Sequence, residues 1–143
     1  MLKKFKVVFA MLNLEHEIVG EALTIVNSTN TAIAAGSGSL EVFGTPFMIA
    51  LMEKATCRAA VDCLEEGETT VGTAINVKHS KASGVGKSIT AKATLKPENV
   101  DGRKLVFDVV ATEDDGSVIG SGTIERFVVI SERFMKKVEQ SNV

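Results

Sequence analysis

The sequence predicts an α+β domain in which an antiparallel sheet packs against one long helix. Three observations carry this prediction. A strong helical segment stands in the middle of the chain, one strand-like run precedes it, and four strand-like runs follow it with turn sequences between them. Strands joined by tight turns form antiparallel sheets, and a sheet with one apolar face needs a second layer to cover that face.

The first strand and the helix follow from their flanking residues. Residues 17–26 form a strand-like run, and residues 27–39 form a small, polar loop with several glycines. The helix is predicted over residues 45–64, because Thr45 is a good N-cap and Pro46 suits the first helical position. Gly67 is expected to end the segment.

The remaining elements are the four strands and a short terminal helix. The strands are predicted at residues 69–79, 88–95, 104–112 and 118–130, with turns at 83–86, 101–102 and 114–116, and the helix at 131–140. One helix of about 20 residues with about five antiparallel strands is the element order of a hotdog fold, in which the sheet wraps around a central helix.

Composition limits the classes of protein to which the chain can belong. Its 143 residues suit a single domain, 1–143, and 45% hydrophobic with 24% charged residues is typical of globular proteins. The net charge of -2 disfavours a nucleic-acid binder. The longest charge-free stretch, residues 22–40, is rich in Asn, Ser, Thr and Gly, so no membrane span is expected.

The cysteines and the N-terminus favour a cytoplasmic protein. Cys57 and Cys63 would lie about 240° apart on a helix, so they cannot pair with each other, and unpaired thiols suit a reducing compartment. Both are expected to be buried, and neither has neighbours at the spacing of metal ligands. Lys3, Lys4 and Lys6 precede an apolar run that is too short for a signal peptide and has no cleavage site after it.

Glu53 is isolated from the other charges of the predicted helix. The charged side chains lie within about 120° of arc and form a solvated stripe: Lys54, Arg58, Asp62, Glu65 and Glu66. Glu53 falls on the other side, beside Ile49, Cys57 and Ala60. A carboxylate there is costly unless it is paired or functional. Helix geometry leaves two explanations open: a functional group, or a side chain at the edge of the apolar face that reaches water.

His79 ends an alternating row on the predicted strand 69–79. Val71, Thr73, Ile75 and Val77 precede it on the same face, so the row is expected to face the core. The pattern fits a functional histidine, and it also fits a histidine satisfied in the core or in a dimer interface. His16 lies in a polar stretch and is expected to be solvated.

Five segments occur in a recognisable order: residues 42–46 (Val-Phe-Gly-Thr-Pro), 50–53 (Ala-Leu-Met-Glu), 70–79 (Thr-Val-Gly-Thr-Ala-Ile-Asn-Val-Lys-His), 101–105 (Asp-Gly-Arg-Lys-Leu) and 122–129 (Gly-Thr-Ile-Glu-Arg-Phe-Val-Val). Together they resemble the hotdog thioesterases of the fluoroacetyl-CoA thioesterase-like family, over residues 17–134. The resemblance implies that Thr45, Glu53 and His79 form the catalytic set, and that Gly72 and Arg126 lie near the substrate. Phe43, in the first segment, is also expected to bind substrate.

The resemblance implies hydrolysis of a small acyl-CoA by a homodimer or higher homo-oligomer, without a metal and without a cofactor other than the coenzyme A of the substrate. Two departures stand out: residues 34–39 lack the aromatic lid of the fluoroacetate-specific member, and Ile124 stands where the family often has His. A generic thioesterase is therefore expected. The alternatives are an acyl-CoA-binding module without turnover and a hotdog dehydratase acting on acyl thioesters.

The spacing of Thr45 and Glu53 predicts a site shared between two subunits. Eight residues along one helix correspond to about 12 Å of rise, whereas a nucleophile and an oxyanion donor must both lie about 3 Å from the same group. Two antiparallel helices across a two-fold axis would place the start of one beside the middle of the other. Whether Thr45, Glu53 or water attacks the thioester stays open at this point.

Overall fold

The computed structural model describes residues 14–141, so the N-terminal lysines and the apolar run after them lie outside the described residues. It contains six strands: β1 (Ile18–Ile25), β2 (Glu68–His79), β3 (Ser88–Leu95), β4 (Val100–Asp101), β5 (Lys104–Glu113) and β6 (Val118–Ile130). The helices are α1 (Ala32–Ala35), α2 (Thr45–Ala60) and α3 (Ser131–Ser141), with 3₁₀ turns at Val61–Cys63 and Pro97–Asn99. The α+β class with one long central helix is confirmed.

The strands form one antiparallel sheet in the order β1-β3-β5-β6-β2, with the short β4 paired to β5. The five predicted strands are all present, and β4 is an addition within the turn before β5. Among residues 14–141, strand β2 lies at one edge of this sheet and pairs with β6 only. Its register shifts between Gly72 and Ala74, which marks a β-bulge.

Helix α2 packs mainly against β1 and β3 through its apolar residues. The buried side chains recur at helical spacing: Met48, Leu51, Met52, Ala55, Thr56, Ala59 and Ala60. Gly20 of β1 permits a close approach, because a Cβ there would lie 2.3 Å from the carbonyl oxygen of Ala55 and from the amide nitrogen of Ala59. The helix therefore lies directly on the sheet.

The ends of α2 differ from the predicted ends. Gly44 is the N-cap, so Thr45 is the first helical residue and its hydroxyl makes no capping hydrogen bond. The α-helix ends at Ala60, before the predicted end at residue 64, because its last turn tightens into a 3₁₀ turn. Gly67 is the last residue before β2 and has a φ of 87°, a conformation that favours glycine.

The expected burial of the cysteines is wrong for Cys57. Both thiols are free, but Cys57 is exposed and Cys63 is partly buried. Cys57 shares a flank of α2 with Ile49 and Glu53, which are only partly buried. Within residues 14–141, no helix combines the length and the apolar character needed to cross a bilayer.

Candidate functional site

Thr45 and His79 are joined by a hydrogen bond. The Thr45 Oγ1 and His79 Nδ1 atoms lie 2.8 Å apart, although the two residues are 34 positions apart in the chain. The contact forms because Thr45 is the first residue of α2, His79 is the last residue of β2, and Gly44 rather than Thr45 occupies the N-cap. The neutral imidazole can accept the proton of the Thr45 hydroxyl in this arrangement.

The imidazole of His79 is only partly solvated. Its Nε2 atom is buried and has no hydrogen-bond partner among the described residues. Burial lowers the pKa of His79 from its ordinary value of 6.5, and the nearby backbone of Lys81 opposes that shift more weakly. The ring is therefore biased toward the neutral form, which can accept a proton near neutral pH.

The expectation that His79 ends a core-facing row holds only for the end of that row, where Val77 packs against the core. The bulge between Gly72 and Ala74 interrupts the alternation of side chains along β2. Ile75 is 42% exposed, and Thr73 is exposed as well. Because β2 is an edge strand, much of its length lies beyond the cover of α2.

Glu53 is paired rather than isolated. Its Oε2 atom lies 3.1 Å from Nη1 of Arg126, which contributes to the site from β6. Arg126 is 7% exposed, and its guanidinium also donates to the Oγ1 atom of Thr70 at 2.8 Å and to the Thr70 carbonyl at 3.0 Å. The partner that a carboxylate on that flank requires is therefore Arg126, a pairing that helix geometry could not predict.

Gly72 leaves space for this ion pair. It lies opposite Arg126 in the β2–β6 register. A Cβ at position 72 would lie 2.7 Å from Oε2 of Glu53 and 3.4 Å from Nη1 of Arg126. Glycine is therefore the residue that lets the Glu53 carboxylate approach the strand, and the structure brings Glu53, Gly72 and Arg126 into one cluster.

Phe43 lies beside the Thr45–His79 pair and is 1% exposed. A cavity of about 280 Å³ adjoins the pair, and its lining residues are Ala32, Ser37, Val42, Phe43, Thr45, His79, Ser80, Lys81 and Ala82. Residues 80–82 were not singled out from the sequence. Their position directly after His79 in the sequence is the feature from which they could have been predicted. The side chain of Ile124, one of the two departures from the family pattern, is fully buried in the core.

The six predicted site residues fall into two clusters within one chain. Thr45, His79 and Phe43 lie at the start of α2, and Glu53, Gly72 and Arg126 lie near its middle. Eight residues of helix separate Thr45 from Glu53, which is about 12 Å of rise. No group of three or more His, Cys, Asp or Glu side chains within residues 14–141 could hold a metal ion.

The comparisons with known proteins agree with one another. Residues 26–132 match the family described as fluoroacetyl-CoA-specific thioesterase. A fluoroacetyl-CoA thioesterase from Streptantibioticus cattleyicolor is 47% identical over 100 residues, which are 70% of this chain and 70% of that protein. The solved structure of the fluoroacetyl-CoA thioesterase FlK is 36% identical, with a TM-score of 0.80 over 90% of this chain and 97% of that chain. A hot-dog-like protein from Thermanaerovibrio acidaminovorans, 21% identical, has a TM-score of 0.80 over 93% of this chain and 96% of that chain, which shows the hotdog fold alone.

Proposed function

This chain belongs to the fluoroacetyl-CoA-specific thioesterase family, and on that premise we propose that it hydrolyses a small acyl-CoA to the free acid and coenzyme A. The single observation that carries this proposal is the 2.8 Å contact between Thr45 and His79. A histidine beside a hydroxyl is the arrangement in which a proton can be removed from an attacking group. The relatives support the substrate class, since solved structures of FlK variants contain acetyl-CoA or fluoroacetate with CoA.

His79 is the general base of the proposed reaction. Its neutral ring accepts a proton from the attacking oxygen as that oxygen forms a bond to the thioester carbonyl carbon. The carbonyl oxygen gains negative charge, which the positive end of the α2 dipole stabilises. Within the first turn the donor is the N–H of Thr45, because Pro46 has no N–H and the N–H of Phe47 is bonded to the carbonyl of Gly44. Collapse of this intermediate breaks the carbon–sulfur bond, and the leaving sulfur takes the proton held by His79, which releases the thiol of coenzyme A and restores the base. Water and these side chains suffice, so the proposed reaction needs no cofactor.

The contacts favour Thr45 over Glu53 as the attacking group. Glu53 is engaged by Arg126, whose positive charge makes the carboxylate a weaker nucleophile, whereas the hydroxyl of Thr45 directly contacts the base. Glu53 then serves to orient the substrate or the water that completes hydrolysis. Attack by Thr45 leaves an acyl ester on the protein, which attack by water does not, so mass spectrometry of rapidly quenched enzyme separates the two routes.

We propose a homodimer in which each site combines the two clusters from different subunits. Two features of the described chain support it. The outer edge of β2 carries exposed side chains, including Ile75. One flank of α2 presents Ile49, Glu53 and Cys57 at four-residue spacing, and none of the three is fully buried. Antiparallel pairing of two such flanks would bring Thr45 of one subunit toward Glu53 of the other.

A steady-state assay tests the activity. Thiol release is followed for a panel of acyl-CoAs of increasing chain length, with His79→Ala as the control for background hydrolysis. The proposal requires turnover of at least one short acyl-CoA that depends on His79. Binding of coenzyme A esters without turnover would support the acyl-CoA-binding module instead. We place the enzyme in the cytoplasm, where its two free thiols stay reduced.

A further inference from the structure

A buried carboxylate outside the site holds the segment that follows His79. Glu113, the last residue of β5, is 6% exposed and accepts hydrogen bonds through both oxygens. Its Oε1 atom lies 2.6 Å from Nζ of Lys81, and its Oε2 atom lies 2.6 Å from Oγ of Ser83. Ser83 is 1% exposed, so this contact is screened from water. Both partners lie within four residues of His79.

The same segment is joined to the start of α2. The N–H of Phe43 donates to the carbonyl of Ser83 at 2.8 Å, and Val42 forms an isolated bridge with Gly84. Phe43 is two residues before Thr45. Ser83 therefore connects Glu113 to the chain that carries Thr45, while Lys81 connects Glu113 to the chain that carries His79. The Thr45–His79 hydrogen bond spans the two segments that these contacts align.

A third set of contacts fixes the other side of the segment. The N–H groups of Ser80 and Lys81 both donate to the carbonyl of Ile119, at 2.7 and 3.2 Å. Lys81 also donates to Ser117 at 2.9 Å. Ser117 lies in the turn between β5 and β6, and Ile119 lies at the start of β6, so the residues after His79 are held against this end of the hairpin. Glu113 supplies the only carboxylate that contacts the segment among the described residues.

We propose that Glu113 is a positioning residue for the catalytic pair: by binding Lys81 and Ser83 together, it sets the separation of Thr45 and His79. The expected effect on turnover rests on the proposed function, whereas the effect of Glu113 on the alignment of Thr45 and His79 does not. Removal of the Glu113 charge loosens both connections at once. The hydroxyl of Thr45 and the ring of His79 then lose their alignment, and displacement of about 1 Å can lower turnover by about a hundredfold.

The test is NMR spectroscopy of the imidazole nitrogens, because the chain contains only two histidines. His16 is exposed and serves as the internal reference. A Thr45→Val variant gives the spectrum of a His79 ring that has lost its partner. In Glu113→Gln, the ring-nitrogen shifts of His79 are expected to move toward those of Thr45→Val, while the shifts of His16 stay unchanged. Asp108→Asn removes a carboxylate from the same strand, where it pairs with Lys96 at the surface, and is expected to leave both histidines unchanged.

Kinetics complete the experiment. Glu113→Gln is expected to lower kcat by about tenfold to a hundredfold with little change in KM, while Asp108→Asn retains wild-type kcat. Ser83→Ala removes only one of the two connections and provides a milder variant if Glu113→Gln does not fold. Unchanged His79 shifts in a folded Glu113→Gln or Ser83→Ala protein would overturn the inference. If the shifts move but the wild-type protein has no thioesterase activity, the positioning role stands and the proposed function fails.

Discussion

The Oγ1 atom of Thr45 lies 2.8 Å from Nδ1 of His79, so the first residue of the central helix is hydrogen-bonded to the last residue of the edge strand. Thr45 can make this contact because Gly44 occupies the N-cap and leaves its hydroxyl free. The contact joins α2 to β2, and the predictions about activity depend on it.

Replacement of His79 by alanine is expected to lower kcat by about 10²- to 10⁴-fold, because the general base is lost. The protein should stay folded, since His79 lies at the end of an edge strand and is only partly buried. Turnover of the best acyl-CoA is measured together with the circular dichroism spectrum. His16→Ala is the matched control and should retain full activity. Wild-type turnover in folded His79→Ala would remove this residue from the mechanism.

Gly72→Ala is expected to lower activity with little effect on the folded structure. The new Cβ would lie 2.7 Å from Oε2 of Glu53, so the carboxylate must move, and the end of a flexible side chain can do so at small cost. The Glu53–Arg126 pair is then displaced. Gly84→Ala is the control, because a Cβ at that position meets no atom within 4 Å. Equal kinetics of the two variants would contradict a role for the displaced pair.

Both the activity and the free energy of unfolding should depend on pH through the protonation of His79. Burial lowers the pKa of His79 below 6.5, so the unfolded chain binds more protons than the folded chain between the two pKa values. The free energy of unfolding therefore falls as the pH drops below about 6.5, and the acidic limb of kcat/KM should have its midpoint below this value. Urea denaturation of wild type and His79→Gln at pH 7.5 and 5.0 isolates this contribution. A midpoint above 6.5 would show that the ring is not the base described.

Fluoroacetyl-CoA and acetyl-CoA should be hydrolysed with similar efficiency. Residues 34–39 provide no aromatic side chain, and Ala32 and Ser37 line the cavity beside the catalytic pair instead. A small, unlidded cavity wall makes few contacts that distinguish fluorine from hydrogen. The ratio of the two kcat/KM values is the measurement. A preference of several thousandfold would mean that other residues supply the discrimination.

Subunit mixing should restore activity for one pair of variants and not for another. In Thr45→Ala mixed with Glu53→Ala, each heterodimer would retain one intact shared site and recover up to about half of the activity. Thr45→Ala mixed with His79→Ala should recover none, because both changes damage the same cluster. Subunit exchange is verified by mass spectrometry of differently tagged chains. Absence of recovery in the first mixture, despite exchange, would place each complete site within one chain.

The sequence alone determined the order of the elements and most of their bounds. Turn residues and apolar periodicity are local properties, so strands such as Ser88–Leu95 could be predicted from nearby residues. The motifs also pointed to Thr45, Glu53 and His79. Local patterns could not establish which residue caps the helix, because both Gly44 and Thr45 are acceptable N-caps and the contact with His79 is made over a separation of 34 residues.

Only the tertiary structure decided how the charged residues are satisfied. Arg126 reaches Glu53 across 73 positions, and Glu113 reaches Lys81 across 32 positions, and neither pairing has a signature in local spacing. The bulge in β2 likewise broke an alternation that the residues themselves display. Ion pairs and strand register depend on which elements become neighbours in space, whereas helices and turns depend on residues that are neighbours in the chain.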